Sequence, residues 1–432
     1  MLDIKFIREN PELVEENLKR RGDKQYLEML NELLDADKKW RDNIKKLQVL
    51  RKEKNEIAEK ISNLKQKKSE SAGKQIDDLL DRMKHVSKSV QSEEEQTNKL
   101  KEKIEWILLR LPNLLDVSVP VGADDSENKT TRTWGDKPKF NFKPKDHIDI
   151  CEKLGLIELD KASKISQARE YYLKNELVIL DFALLRYGLD FLIRKKFKIF
   201  TTPLMVRKRS VIGTGFMPIG EEDVYKIDGE DLYLIGTSEI TLASLHMDDV
   251  LFSKNLPLLY AGFSPCFRTE AGSHGRDTKG IFRVHKFHKI EQFSFCKPEQ
   301  SEKIHQELLK NSEEFWQSLE ISYRIVNICT GDMGMVASKK YDIEAWLPGQ
   351  DKYREVVSCS NCTDYQSRRM NIHFIEKEGQ APINMVHTLN STLIATNRAM
   401  IAILENFQQE DGSVKIPKVL QKYTGFKKIS TS

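Results

Sequence analysis

Apolar side chains recur at alternating spacings of three and four residues from about Leu27 to Leu64. Leu33, Ala36, Trp40, Asn43, Leu47, Leu50, Lys54, Ile57, Ile61 and Leu64 keep this rhythm, and only Asn43 and Lys54 among them are polar. A polar interval with Gly73 follows. The rhythm then resumes through Ile76, Leu79, Met83, Val86, Val90, Glu93, Thr97, Leu100, Ile104 and Ile107. Such a repeat keeps one apolar seam on each helix facing the other, which predicts an antiparallel coiled-coil hairpin. About 40 residues per helix gives a rod of roughly 60 Å. Nothing else in the chain is long enough to cover it, so it is expected to project into solvent. Residues 1–25 read as a short capping segment, with a helix start at Asn10–Pro11 and a stop at Gly22.

The heptad ends at Leu111, where Pro112, Pro120, Gly122, Asp124, Asp125, Gly135 and Pro138 punctuate the chain. This change predicts an N-terminal domain over 1–111, a linker over 112–135 and a second domain over 136–432. Helical periodicity returns between Ala162 and Phe197, strongly apolar, and is read as a core or interface helix. Short strand-like runs follow at Lys198–Pro203, Tyr225–Ile227, Leu232–Ile235, Leu258–Phe267, Tyr323–Ile328, Tyr341–Trp346, Arg354–Val357 and Met385–Leu389. Ser301–Leu319 and Arg398–Phe407 read as helices. Strands without regularly alternating helices predict an α+β domain with an antiparallel sheet, not a doubly wound one.

Composition narrows the class. Charged residues are 31% and hydrophobic residues 39%, a globular and not a disordered balance. No apolar run approaches the roughly 20 residues of a membrane span. The N-terminus lacks the basic region and apolar core of a signal peptide. Six scattered cysteines predict reduced thiols and a cytoplasmic location. The net charge of +4 implies little by itself, but its distribution is uneven. Between Lys38 and Lys68 the outgoing heptad helix carries twelve Lys and Arg against four acids, while the return helix is close to neutral. Most charge runs on coiled coils are solvated flanks. A one-sided basic rod is also what contact with a phosphate backbone requires, and Lys38, Lys39, Arg41, Lys45, Lys46, Arg51, Lys52 and Lys54 would supply it. Aromatics for base stacking are nearly absent there, so RNA would be read by shape and backbone.

The densest chemistry lies in Cys266–Glu291, CFRTEAGSHGRDTKGIFRVHKFHKIE. It reads as strand, Gly-rich loop, strand, with Arg283, His285, Phe287, Lys289 and Glu291 on one side of the second strand. A half-buried strand rarely gathers Arg and Glu this way. Arginine forks pair bidentately with phosphate oxygens and an aromatic face stacks on a base, so the set suits a polyphosphate joined to a planar base. An exposed, salt-bridged hairpin accounts for the spacing equally well. The chain has no GxxxxGK[ST] loop and no strand–GxGxxG–helix. Cys359-Ser-Asn-Cys362 is a CxxC without a second pair or a nearby HxxxH, so zinc is not expected.

These residues resemble the seryl-tRNA synthetases, a class II aminoacyl-tRNA synthetase family, over nearly the whole chain. Ile165–Phe197 followed by Phe200-Thr-Thr-Pro203 is similar to motif 1, which forms the dimer interface in the family. FRTEAGSHGRDTKGIFRVHKFHKIE is similar to motif 2, and Asn390–Gln408 with Arg398 to motif 3. Thr237-Ser-Glu239 and the segment Glu355–Arg369 are further characteristic stretches. The resemblance implies an α+β catalytic domain, activation of serine with ATP to seryl-adenylate, transfer to tRNA(Ser) with tRNA(Sec) as a possible second acceptor, and a homodimer. It assigns catalytic roles to Arg268 and Arg398, and serine binding to Thr237, Ser238, Glu239, Arg268, Glu291 and Ser391. It assigns ATP binding to Arg268, Thr269, Glu270, Arg283, Val284, Phe287, Glu355, Val356, Val357, Ser358 and Arg398, with Glu355 and Ser358 on Mg²⁺. The basic helix would grip the long variable arm of the tRNA. Ser391–Asn397 departs from the family in having no glycine, and His274 in the hairpin loop is unfamiliar. Competing readings are a synthetase-like paralogue that binds nucleotide or RNA without charging tRNA, and a coiled-coil protein with an inert head. A class II enzyme for another amino acid is a milder alternative.

Overall fold

The computed structural model describes residues 1–66, 72–271, 279–382 and 384–430. The hairpin loop over 272–278, with His274, therefore lies outside the described residues. The chain forms two units: Asp3–Lys19 with Asp23–Leu111, and Met1–Leu2, Arg20–Gly22 with Pro112–Ser432.

The first unit is built on two long helices, α1 (Lys24–Gln66) and α2 (Ala72–Leu108). The seam read from the heptads is the buried one. Leu33, Ala36, Asn43, Leu47, Ile57 and Ile61 of α1 and Val86, Val90, Thr97 and Ile107 of α2 are buried, and the rest of the seam is half-buried. Before them, Ile4–Glu9 is capped by Asp3, whose side chain accepts from the Lys5 amide at 2.7 Å. Pro11 opens the helix Pro11–Arg20 at a position where its missing N–H costs nothing.

The second unit is organised by an eight-stranded sheet. Its strands are β1 (Lys129–Trp134), β2 (Lys198–Thr201), β3 (Leu258–Phe267), β4 (Lys286–Cys296), β5 (Tyr323–Asn327), β6 (Lys339–Leu347), β7 (Lys352–Asn361) and β8 (His387–Ala395). They lie in the order β1-β5-β6-β7-β8-β4-β3-β2, antiparallel except for the β2–β3 pair. Helices α3 (Glu176–Arg194), α4 (Glu239–Ser244), α5 (Ser301–Ser318), α6 (Tyr365–Met370) and α7 (Thr396–Asn406) complete the frame. The main core joins Leu180, Leu184 and Leu192 of α3, Leu308 and Phe315 of α5, and Ala399 and Ile403 of α7 to the sheet's apolar side chains.

Two sequence expectations change here. The stretch 112–135, read as a linker, is folded onto the second unit. The Asn113 amide donates to the Cys362 and Val336 carbonyls at 2.8 and 2.9 Å, and Lys129–Trp134 is the edge strand of the sheet. Proline and glycine mark turns, and packed turns carry them as often as linkers do. The helix read over Ala162–Phe197 is broken: a short helix, Asp160–Ile165, comes first, Tyr172–Leu173 then pairs back to Ile157–Glu158, and the long helix begins at Glu176.

Candidate active site

A cavity of about 500 Å³ opens on one face of the sheet. The β3–β4 hairpin supplies one wall. Its pairing runs from Leu258↔Phe295 to Phe267↔Lys286 and extends one step further, where the Arg268 amide donates to the His285 carbonyl at 3.0 Å. Arg268 then projects into the cavity, its Nε on the Gly236 carbonyl at 3.3 Å and its guanidinium 5.5 Å from the centre of the Phe287 ring. Arg283 and Glu270 also line the cavity and pair with each other at 3.0 Å. Glu270 has φ +55°, a left-handed backbone that a non-glycine residue adopts only when its surroundings hold it. The return of the hairpin is anchored at Gly280, φ +77°, where a Cβ would sit 2.2 Å from His147 Nε2.

The opposite wall comes from β7. Strand side chains alternate between faces, so Glu355 and Ser358, three positions apart, should point to opposite sides. A bulge intervenes: Val357 pairs with Ile343 and Glu355 with Glu344, leaving Val356 as the extra residue. The inserted residue turns both Glu355 and Ser358 to the cavity. Arg398, near the start of α7, reaches Glu355 Oε1 at 3.2 Å and lies 4.7 Å over the Phe282 ring. Burial pushes the Glu355 carboxyl up, but Arg398, Lys340 and Arg268 together hold it down at about 2.

The floor is an acid pocket. Glu239 Oε1 accepts from Gln366 Nε2 at 2.8 Å and Asn390 Nδ2 at 3.0 Å. Lys289 pairs with Glu291 and donates to Thr237 Oγ1 at 3.2 Å. Burial, reinforced by the charge of Glu291, pushes the Glu239 carboxyl up to about 7 against the pull of Lys289. Glu291 is also raised by burial, with Lys289 and Arg268 opposing. Two buried carboxylates, Glu239 and Glu291, beside two cations, Lys289 and Arg268, form a site balanced in charge. Beneath it, Gly262 lets Thr237–Glu239 approach the sheet, since a Cβ there would meet Ser238 Oγ at 2.6 Å.

The cavity therefore brings together Thr237, Glu239, Arg268, Glu270, Arg283, Val284, Phe287, Glu291, Glu355, Val356, Ser358 and Arg398. Four residues expected there do not line it. Ser238 turns down, its Oγ on the Gly262 carbonyl at 3.1 Å. Thr269 donates to the Glu222 carbonyl instead. Val357 faces the core. Ser391 is a strand residue with its Oγ 3.2 Å from Ser312 Oγ on α5, behind the sheet. Its neighbours Asn390 and Thr392 face the cavity, and Lys340 and Asn397 also line it. Period-two alternation about Ser391 was the signal for the first two; Gln366 had none. Ser391→Ala is accordingly expected to leave the amino-acid KM unchanged while Thr392→Val raises it, measured by steady-state kinetics. Cys359 and Cys362 separate in the same way. Cys359 contacts the His305 carbonyl on the α5 side, and Cys362 accepts from Asn390 on the cavity side. Among the described residues no group of three or more His, Cys, Asp or Glu could hold a metal, and no helix is long and apolar enough to cross a membrane.

In the first unit, Lys39 pairs with Asp35 at 2.7 Å, Arg41 with Asp37 at 3.0 Å and Arg51 with Glu94 at 2.8 Å. Lys45 and Lys46 make looser pairs with Asp42 and Glu93, at 3.8 and 3.9 Å. Lys38, Lys52 and Lys54 have no ion pair among the described residues. Exposed pairs contribute about 0–1 kcal/mol, so most of these cations can change partner at little cost. Arg41 shares Asp37 with Arg8 and is the most committed.

The chain matches the seryl-tRNA synthetase N-terminal domain over residues 1–115 and the class II tRNA synthetase core domain (G, H, P, S and T) over 224–407. It is 51% identical to the serine–tRNA ligase of Thermococcus sibiricus, covering 99% of this chain and 97% of that one. The chain belongs to the seryl-tRNA synthetase family. The family's crystal structure from Pyrococcus horikoshii, complexed with ATP, superposes with a TM-score of 0.94 at 49% identity, covering all of both chains. That of the cytoplasmic enzyme from Naegleria fowleri, with AMP, gives 0.88 at 34% identity, covering 100% of this chain and 99% of that one. Family membership makes the protein an ATP-using ligase built on the class II fold.

Proposed function

We propose that the cavity activates L-serine with ATP and that the seryl group then passes to the 3′ end of tRNA(Ser). The observation that carries this reading is the meeting, in one cavity, of a charge-balanced acid pocket with an Arg, Glu and Phe set suited to ATP. Glu239 holds the serine ammonium, and Glu291 with Thr237 takes the hydroxyl. Alanine is rejected because it would leave these buried groups unpaired. Adenine lies against Phe287, contacted by Glu270 and the Val284 backbone, while Arg283 and Arg398 hold the phosphates. For this, Arg283 must exchange Glu270 for the nucleotide. Arg268 bridges the serine carboxylate and the α-phosphate. A carboxylate oxygen attacks phosphorus in line, the bond to the bridging oxygen breaks, and pyrophosphate leaves. A terminal ribose hydroxyl of the tRNA then attacks the carbonyl, and AMP leaves.

A carboxylate and a hydroxyl on one face, Glu355 and Ser358, fit Mg²⁺, which ordinarily takes one or two carboxylates and completes its shell with phosphates and water. When bound, it neutralises charge on the phosphates. The cations of α1 are proposed to hold the tRNA backbone. A homodimer is proposed through the face on which Ile179, Phe182 and Ile193 of α3 are exposed, since monomers rarely leave such a patch open.

The test is ATP–pyrophosphate exchange across the standard amino acids with Mg²⁺. Exchange with serine alone is expected; a folded protein that binds ATP but exchanges with none overturns the reading. A pH dependence follows from Glu239. Its ionised form holds the ammonium, and its raised value means that it is half protonated near pH 7, not near 4.5. kcat/KM for serine should therefore fall as pH drops from 8 to 6, and Glu239→Gln should lower and flatten the profile.

A further inference from the structure

The strand beside Glu355 and Ser358 carries a carboxylate that none of the roles above uses. Asp342 of β6 pairs directly with Ser358 of β7 in the sheet register. Cross-strand partners keep their Cβ atoms about 4.5–5.5 Å apart on one face, so Asp342 stands beside the Ser358 hydroxyl. It is 5% exposed. One oxygen, Oδ2, lies 3.1 Å from the ammonium of Lys340, itself a cavity residue. The other, Oδ1, is buried and accepts no hydrogen bond from any described group. A buried carboxylate oxygen without a donor is costly, and native structures keep one where something absent from the bare protein completes it. As a counter-ion for Lys340 alone, Asp342 would need only the oxygen it already uses.

We infer that Asp342 belongs to the cation site, its free Oδ1 accepting a hydrogen bond from a water on the Mg²⁺ held by Glu355 and Ser358. This rests on the reading of those two as the cation's ligands. The local charges agree with it. Lys340 neutralises one side of Asp342, Arg398 neutralises one side of Glu355, and a divalent ion between them meets the oxygens left over. Magnesium keeps most of its waters, and acceptors beyond the direct ligands orient those waters.

The experiment is Mn²⁺ binding, followed by the loss of the free-ion EPR signal, on the full-length protein saturated with α,β-methylene-ATP. Asp342→Asn is expected to weaken Mn²⁺ binding roughly 10–100-fold, the usual effect of removing an outer acceptor. Its metal-free affinity for the analogue should stay at the wild-type value, while its unfolding midpoint falls because Lys340 loses its counter-ion. A shift below about tenfold overturns the inference. So does an equal fall in the metal-free affinity for the analogue, which would make Asp342 a partner of Lys340 alone. Glu355→Gln is the control. If it loses Mn²⁺ while Asp342→Asn does not, the inference alone fails; if neither does, the reading of Glu355 and Ser358 fails with it.

Discussion

Arg268→Ala is expected to lower serine-dependent pyrophosphate exchange by about 10²–10³-fold, the usual loss when one donor to transition-state charge is removed. Arg268 reaches both halves of the cavity. Its Nε is fixed on the Gly236 carbonyl beside Thr237, its plane lies near Phe287, and its charge acts on Glu239, Glu291 and Glu355 alike. Removing it separates the acid pocket from the phosphate arginines and leaves buried carboxylates with less compensation. Arg268→Lys should recover only part of the loss, because an ammonium cannot reproduce the two-pronged geometry. tRNA binding, measured by filter retention, should be unchanged. Retained adenylate formation with weakened tRNA binding would refute the assignment.

Excision of Lys38–Lys103, with a short glycine turn joining Asp37 to Ile104, is expected to spare serine activation and abolish tRNA charging at physiological salt. The joined ends face each other, since Lys103 pairs with Glu32 across the helix pair at 3.0 Å. The catalytic unit has its own core and does not use this segment. Charging by the intact protein should fall steeply with added salt, as expected of backbone contacts. Substituting Lys38 and Lys52, which carry no ion pair among the described residues, should cost more than substituting Arg41, whose guanidinium is held by Asp37. Charging that survives excision would end the proposal that the basic helix delivers the tRNA.

The coiled coil was legible almost residue by residue. Positions such as Leu47, Ile57, Val86 and Val90 are buried where the heptad puts them, because a helix pair of this kind is decided by local periodicity. Hairpin strand Leu258–Phe267 was equally plain, and so was the helix Ser301–Leu319, which ends one residue earlier in the structure. The boundary after Leu111 was visible, but not that the following turns pack, since turn residues say nothing about what covers them. Likewise the apolar run Ala162–Phe197 concealed a break, where Tyr172–Leu173 pairs back to Ile157–Glu158.

By itself, then, the sequence determined the rod, the antiparallel α+β sheet and the chemical character of the cavity: Arg268, Glu270, Arg283, Phe287 and Arg398 bear their chemistry in their side chains and lie in readable motifs. Tertiary structure alone decided which neighbours face the substrate. Ser391 and Val357 turn away while Asn390, Thr392 and Ser358 turn in, because facing depends on strand register and on the bulge at Val356. It also decided that Gln366 supports Glu239 and that Asp342 stands beside Ser358. The physical reason is the same in each case. A helix or a hairpin is set by contacts a few residues apart, whereas this pocket is assembled from strands spread from Leu258 to Ala395, and no local pattern records their register.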